Sequence, residues 1–593
     1  MGGMRRFGRT VGDSVGRAVA RAVGKAVGKA VGTARGGAAG KALAKAAGKA
    51  VGTAARAIPG VMIGLITAGL AVGVGESVAV WSGPQTAPAI AVGSAAIDLT
   101  PTPLKEYAIR NFGTDDKPVL LTGIYLTLAA IAVAAGILAV RRLTVGVGLV
   151  AVFGAVGAWA ALSRPTARGG DLWPSVLGAV VAGAAMVLLV RSYQTSYSGV
   201  EDVEFGSVEP AKPAESGQDT GQTGPAAEAP ASRLPSWAQD RRGFLTLAAG
   251  AAGTAAVSGL VGRAVVDKRY NVALKRSRVR IPAPATRAAA IPSAVHPNVA
   301  GLSSFITPNS DFYRVDTALV LPQVDPDAWT LRIRGMVDRP LELSFAELLN
   351  RPLIEHDQTL SCVSNEVGGP YVGTARWIGA SLAALLREAG VQRGADQLVG
   401  RSIDGMTIGT PVESVLDGRT GLLAVAMNGE PLPIAHGFPC RMLVPGFFGY
   451  VSATKWVVDL ELTTFAGYDS YWVRRGYSQI APVKTASRID VPKPFARVPA
   501  GPVTAAGVAW ATHRGIDAVE VRADGGPWQL AHLAAADTPD TWRQWTRELN
   551  LVPGLHKLEV RATDATGAVQ PEQRVDTVPN GATGWHSVVI TAV

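Results

Sequence analysis

Cys362 stands in Thr359-Leu360-Ser361-Cys362-Val363-Ser364-Asn365-Glu366-Val367-Gly368-Gly369, an apolar run opening into a polar, glycine-containing loop. A thiolate at such a strand-to-loop edge is a soft ligand for the metals that redox chemistry needs. The bland reading is an inert buried thiol, common for a lone cysteine. Cys440 is the only other cysteine and reads as core filling, so a disulfide-stapled module is excluded.

The histidines bound the chemistry from the other side. The earliest of seven is His296, so no pair of imidazoles can hold a haem among the apolar runs described next. There is also no Cys-x-x-Cys-His attachment site, and no haem is expected in this chain. An electron partner, a cytochrome or a quinone system, must then be a separate molecule.

These residues need elements to position them, and 593 residues exceed what one core can hold. Residues 1–56 are a basic Ala/Gly/Lys-rich cytoplasmic segment whose repeat, VGRAVARAVGKAVGKAVG, alternates Val with cations. The net charge of +11 is concentrated there, which suits membrane lipid rather than nucleic acid; a solvated low-complexity tail is the alternative. Runs near 58–81, 119–140, 143–162 and 172–190 each approach the roughly 20 residues needed to cross a bilayer. Four transmembrane helices over 57–195 are expected. Arg141-Arg142 and Arg191 then place the amino terminus inside. Glu76 is the only ionisable residue well inside a run, near its outer end.

Residues 196–240 read as a disordered cytoplasmic linker, rich in Pro, Gly, Ser and Glu. Asp240-Arg241-Arg242-Gly243-Phe244-Leu245 and the weakly apolar run behind it look like a twin-arginine signal inside the chain, with a fifth transmembrane helix over 241–265. The cell membrane, multi-pass, with everything after about 265 on the extracytoplasmic side, is the expected location. From 285 onward short strands alternate with helical segments at Leu343–Leu349 and Ser381–Ala389, the pattern of a mixed α+β domain. Beyond 500 only strands remain, at Ala518–Arg522, Leu555–Ala562 and Trp585–Val593, which predicts a β-sandwich.

Separated motifs now fall into order. Thr-Leu-x-Cys-x-x-Asn around Cys362, Arg376-Trp377-Ile378-Gly379, Asn428-Gly429-Glu430-Pro431-Leu432-Pro433 and His436-Gly437-Phe438-Pro439-x-Arg441-x-x-Val444-Pro445-Gly446 resemble the sulfite oxidase family of molybdopterin-dependent oxidoreductases. The resemblance implies a molybdopterin-binding domain over 285–465 and an immunoglobulin-like dimerisation domain over 466–593, hence a possible homodimer. It implies molybdenum held by a pterin dithiolene, oxygen ligands and the thiolate of Cys362. The family's pterin contacts carry over to Asn309, Tyr313, Arg314, His436, Arg441, Ala453, Thr454 and Lys455, with Arg314 also orienting substrate. Arg441 and Lys455 are flanked by Met442-Leu443-Val444 and Trp456-Val457-Val458, which argues against solvated surface charge.

The sequence departs from the family in two places. Val425 stands where sulfite-oxidising members carry a tyrosine, and Glu366-Val367 where they place an arginine. A missing cation and an added carboxylate disfavour a dianion. The periplasmic methionine-sulfoxide reductases have an acid where this chain has Ser364. The expectation is therefore a membrane-anchored, molybdenum-dependent oxidoreductase acting by two-electron oxygen-atom transfer on a small molecule. The alternatives are an S- or N-oxide reductase and a metal-free, membrane-tethered interaction protein.

Overall fold

A computed structural model describes residues 38–101, 104, 107, 116–164, 167–197 and 236–593. The basic repeat before residue 38 and linker residues 198–235 lie outside the described residues. The chain divides into two compact units, one within Met1–Val92, Val119–Leu162 and Gly169–Val265, the other within Gly93–Pro118, Ser163–Arg168 and Val266–Val593.

The first unit takes in helices α1 (Ala38–Ser82), α4 (Leu143–Leu162) and α5 (Trp173–Tyr197), the start of the short α2 (Pro88–Leu99) up to Val92, α3 (Asp116–Arg141) from Val119 and α6 (Ser236–Tyr270) up to Val265. Among the described residues, five segments are long and apolar enough to cross a membrane: Ala57–Ser82, Lys117–Arg141, Leu143–Leu162, Gly169–Thr195 and Gly243–Arg278. The break between α3 and α4 falls at the expected Arg141-Arg142 pair. Helix contacts here depend on small residues, because no solvent drives apolar faces together in lipid. A Cβ on Gly64 of α1 would lie 2.0 Å from the carbonyl oxygen of Ala132 in α3, so only glycine permits that approach.

The second unit opens with a mixed domain of two sheets. One has the order β2 (Leu341–Ser344), β1 (Thr330–Gly335), β10 (Val457–Thr463), β5 (Gln397–Ser402), β6 (Thr407–Pro411). The other runs β3 (Leu353–Ser361), β4 (Val372–Ser381), β7 (Leu422–Met427), β8 (Glu430–Pro431), with β9 (Arg441–Leu443) also paired to β7. β7 reads LLAVAM and is buried at every position, as a strand covered on both faces must be. Its turn into β8 is Asn428-Gly429, both at positive φ (51° and 83°), the pairing a tight hairpin demands.

Two helices differ instructively from their expected bounds. The segment foreseen at Leu343–Leu349 starts as β2, because Leu341–Ser344 pairs with β1. After the short α7 (Ala273–Arg278), helix α8 (Phe345–Leu349) begins at Phe345, where Ser344 and Glu347 form a reciprocal capping box. The second, α9 (Leu382–Ala389), is capped by Ser381 and closed by Gly390 at φ 72°. Its Leu382, Leu385, Leu386 and Ala389 are buried, a helical stripe facing the core.

Two further sheets follow. The first has the order β11 (Ala486–Val491), β13 (Gly501–Trp510), β17 (Arg543–Leu551), β16 (His532–Leu533). The second has β12 (Arg497–Val498), β19 (His586–Ala592), β18 (Gly554–Asp564), β14 (Ile516–Ala523), β15 (Gln529–Leu530). They share one core around Trp545, Val519, Val560 and Ile590, a β-sandwich. Its first strand, β11, starts at Ala486, and Tyr477, Ala481 and Val483 before it share a core cluster with Trp456 and Trp510.

Ser344→Ala removes the bond to the Glu347 amide. The cost is about 1 kcal/mol of local stability, read as amide exchange on the order of fivefold faster across Phe345–Leu349.

Candidate active site

Cys362 follows the last residue of β3, where the strand runs out of the sheet. Its amide donates to the Tyr371 carbonyl at 2.9 Å, closing the loop that leads into β4. Asn365 braces that loop from inside: its amide donates to the Cys362 carbonyl at 3.1 Å, and its Oδ1 accepts from the Tyr371 amide at 2.8 Å. Gly368, at φ 79°, leaves no room for a side chain, because a Cβ would sit 2.1 Å from the His586 ring. Arg488 donates from Nη1 to the Gly369 carbonyl at 2.8 Å. Both clamps come from sandwich strands, so the sandwich fixes the loop that carries the thiol.

Burial pushes the Cys362 thiol up, while hydrogen bonds from the amide and side chain of Ser364, the nearby Lys455 cation and the Val363 amide act against it. The residue that replaces an acid in the motif therefore donates toward Sγ. Tyr313 lies close to both Cys362 and Arg441; burial and the cysteine push its phenol up, so it keeps its proton. Its ring stacks on Phe312 at 5.3 Å, and Phe312 in turn meets the His436 ring edge-on at 5.5 Å.

Arg441 opens β9 and is buried against Trp377, whose ring lies 5.5 Å from the guanidinium carbon. Burial lowers its pKa to about 10, which still leaves it charged at neutral pH. His436 is pushed down to about 4 by burial and by Arg441 and is therefore neutral. Its Nε2 lies 3.2 Å from the Asn309 carbonyl oxygen; since a carbonyl only accepts, the proton sits on Nε2 and Nδ1 is the acceptor. Thr454 and Lys455 come next to Arg441 because the Met442 amide donates to the Thr454 carbonyl at 2.9 Å.

Lys455 is largely shielded, its side chain 11% exposed, and desolvation lowers it to about 8 against the pull of Asp316. Its Nζ reaches Asp316 at 2.9 Å. Arg314 Nε reaches the same carboxylate at 3.1 Å, and Lys117, of segment Gly93–Pro118, also pairs with it. Burial would raise Asp316, but Lys455 and Lys117 overcome this and hold it at about 2. Asp404, the second carboxyl near Lys455, is pushed up by burial. Three cations thus gather around Asp316, and the site favours an anion.

Sequence reasoning placed Cys362, Tyr313, Arg314, His436, Arg441, Ala453, Thr454 and Lys455, and all lie in this region, Ala453 as the buried cap of the short α11 (Gly449–Ser452), in sequence order after α10 (Val412–Leu416). Asn309 stands apart in its role. Its side chain donates to Glu430 Oε1 at 2.6 Å and accepts from Asn428 Nδ2 at 2.9 Å, so it ties down the β7–β8 turn. Asp316 and Lys117 were missed. The first lies two residues beyond Arg314 and carried no motif of its own.

A family profile described as oxidoreductase molybdopterin binding domain matches residues 318–472. The chain is also similar to the sulfite oxidase of Gallus gallus, 32% identical over 318 residues that cover 45% of this chain and 68% of the relative. It belongs to the sulfite oxidase family. The mitochondrial sulfite oxidase of Macaca fascicularis is likewise 32% identical, over 45% of this chain and 58% of its own length, so the chain spans under two thirds of that relative. Among solved structures, the sulfane dehydrogenase SoxCD from Paracoccus pantotrophus is similar at 24% identity and a TM-score of 0.44, covering 49% of this chain and 84% of that one.

The residues of this sulfite oxidase family member fit a molybdenum–pterin group on chemical grounds. Arg441 Nε, Thr454 Oγ1 and Ser361 Oγ are buried polar atoms without a hydrogen-bond partner, and such atoms are costly unless a ligand meets them. Buried cations match a phosphate ester, and a thiol stands beside them.

Lys455 is a cation below about pH 8 and loses its charge above it, so retention of a phosphate-bearing cofactor falls as pH rises through that value. Lys455→Arg keeps its charge and extends retention to higher pH, whereas Lys455→Met weakens it on the order of tenfold throughout. Pterin released on dialysis across that range measures both.

Proposed function

We propose that this protein is a membrane-anchored, molybdenum cofactor-dependent oxidoreductase that carries out two-electron oxygen-atom transfer on a small substrate outside the cytoplasmic membrane. The observation that carries the reading is the convergence of a buried thiol, Cys362, with a buried guanidinium, Arg441, whose Nε has no protein partner.

In this proposal Cys362 is the metal ligand. Arg441, Lys455 and Thr454 would hold the pterin and its phosphate, His436 would offer a neutral Nδ1 acceptor, and Ala453 would shape the wall. When bound, the molybdenum cofactor supplies the two-electron redox chemistry and oxygen exchange that the amino acids lack. The chain's own work is electrostatic and positional. Ser364 donates toward Sγ and so favours the thiolate. Tyr313 keeps its phenolic proton beside Sγ as a donor. Arg314, the more exposed cation, is placed by Asp316 to orient substrate.

The relatives named above are sulfite oxidases, but here Val425 is fully buried in β7 and Glu366 is exposed in the loop after Cys362. A neutral S- or N-oxide therefore suits the mouth better than a dianion, which favours the reducing direction as the second reading. A separate cytochrome or quinone exchanges the electrons. The side of the membrane rests on Arg141, Arg142 and Arg191, which by the positive-inside rule put the oxidoreductase domain outside. The Arg241-Arg242 pair is read as the signal that exports it folded, and the sandwich as an immunoglobulin-like dimerisation domain.

Elemental analysis and pterin extraction on the detergent-solubilised full chain test this directly. About one molybdenum and one pterin per chain are expected. A chain that folds without either would instead be a tethered interaction protein. Cys362→Ser is expected to abolish turnover, by at least about a thousandfold, while the circular dichroism stays unchanged; full activity in that variant would sink the assignment.

A further inference from the structure

The membrane unit contains a cleft that anchoring alone does not explain. It encloses a cavity of about 160 Å³, room enough for a single six-membered ring. Its walls come from α1, α2, α3, α4 and α5, represented by Ala68, Pro88, Ala132, Phe153 and Ser175. The lining is almost wholly apolar, and two hydroxyls interrupt it: Thr67 and Ser175.

The two hydroxyls differ in a way that points to a ligand. Thr67 lies in the middle of α1 and donates to the carbonyls of Ile63 and Gly64, both at 2.9 Å. Its helix satisfies it. Ser175 sits in the first turn of α5, where no preceding α-helical turn offers a carbonyl, and its Oγ is buried without a partner at 4% exposure of the residue. Gly157 of α4 makes room for that hydroxyl, since a Cβ there would lie 2.6 Å from Oγ. An acyl chain could fill the apolar walls but would leave this hydroxyl unbonded, at a cost that lipid surroundings do not relieve. The matching occupant is a flat apolar molecule carrying a carbonyl or hydroxyl at one end.

We infer that this cleft binds the head of an isoprenoid quinone or quinol, with Ser175 hydrogen-bonded to a ring oxygen. Ser175 lies near the end of the bundle where α1 runs into α2, because a Cβ on Gly75 would touch both Pro88 and the Pro174 carbonyl. Under the orientation proposed above, that end is the extracytoplasmic one. The choice of a redox-active occupant rests on the oxidoreductase reading, which requires a separate electron carrier; binding itself does not depend on molybdenum.

The test uses the full chain in phospholipid nanodiscs, titrated with a short-chain benzoquinone and followed by quenching of tryptophan fluorescence. Saturable binding at about one per chain is expected, weakened about fivefold in Ser175→Ala and lost in Ala68→Phe, which fills the cleft. Both variants keep their molybdenum content and their turnover with a soluble electron dye. Binding that is absent, or equal in all three proteins, overturns the inference, as does solvent extraction that returns only phospholipid from the cleft. A chain that binds quinone yet carries no molybdenum would refute the oxidoreductase reading and leave this one standing.

Discussion

Burying a guanidinium and an ammonium in one site costs several kcal/mol per ion unless anions meet them, and Asp316 supplies one full carboxylate to Arg314, Lys117 and Lys455 together. The rest of the oxidoreductase unit can be understood from that imbalance. Arg441 is sandwiched against Trp377 rather than paired with an acid, and its Nε is left without a protein partner. Lys455 is pushed toward neutrality. A site so arranged is completed by an anionic ligand, and the strands that build it, β4, β7 and β9, are among the most deeply buried in the chain. Rigid walls keep the cations from swinging out to water.

The thiol depends on a different device. A loop between antiparallel strands is ordinarily free to move, yet the loop after Cys362 is held by Asn365 inside it and by Arg488 and the His586 ring from the sandwich. His586 is itself pushed down to about 4 by burial and Arg488, so it is neutral and can accept the Ile489 amide at 3.0 Å. The sandwich is therefore part of the site's mechanical support, in addition to any role in assembly.

The membrane unit follows other rules. Glycines such as Gly64 let backbones touch, and where side chains stay small on several facing helices the packing leaves a cleft instead of a seal. One unsatisfied hydroxyl at the start of a helix gives that cleft a polar end.

Much of this was legible in the residues. The apolar runs fixed where helices cross lipid, since their length must match the bilayer, and the ordered motifs around Cys362, Arg441 and Lys455 named the family and most of the site. Ser344 and Ser381 announced the starts of two helices through local capping, a signal confined to a few residues. What no local pattern carries is pairing across the fold. Leu341–Ser344 became a strand only because β1 lies beside it. Asn309, a motif residue, turned out to brace a turn 119 residues away. Asp316, unremarkable in sequence, became central once folding brought three cations to it. Electrostatic coupling depends on distance in space, and sequence reports only distance along the chain.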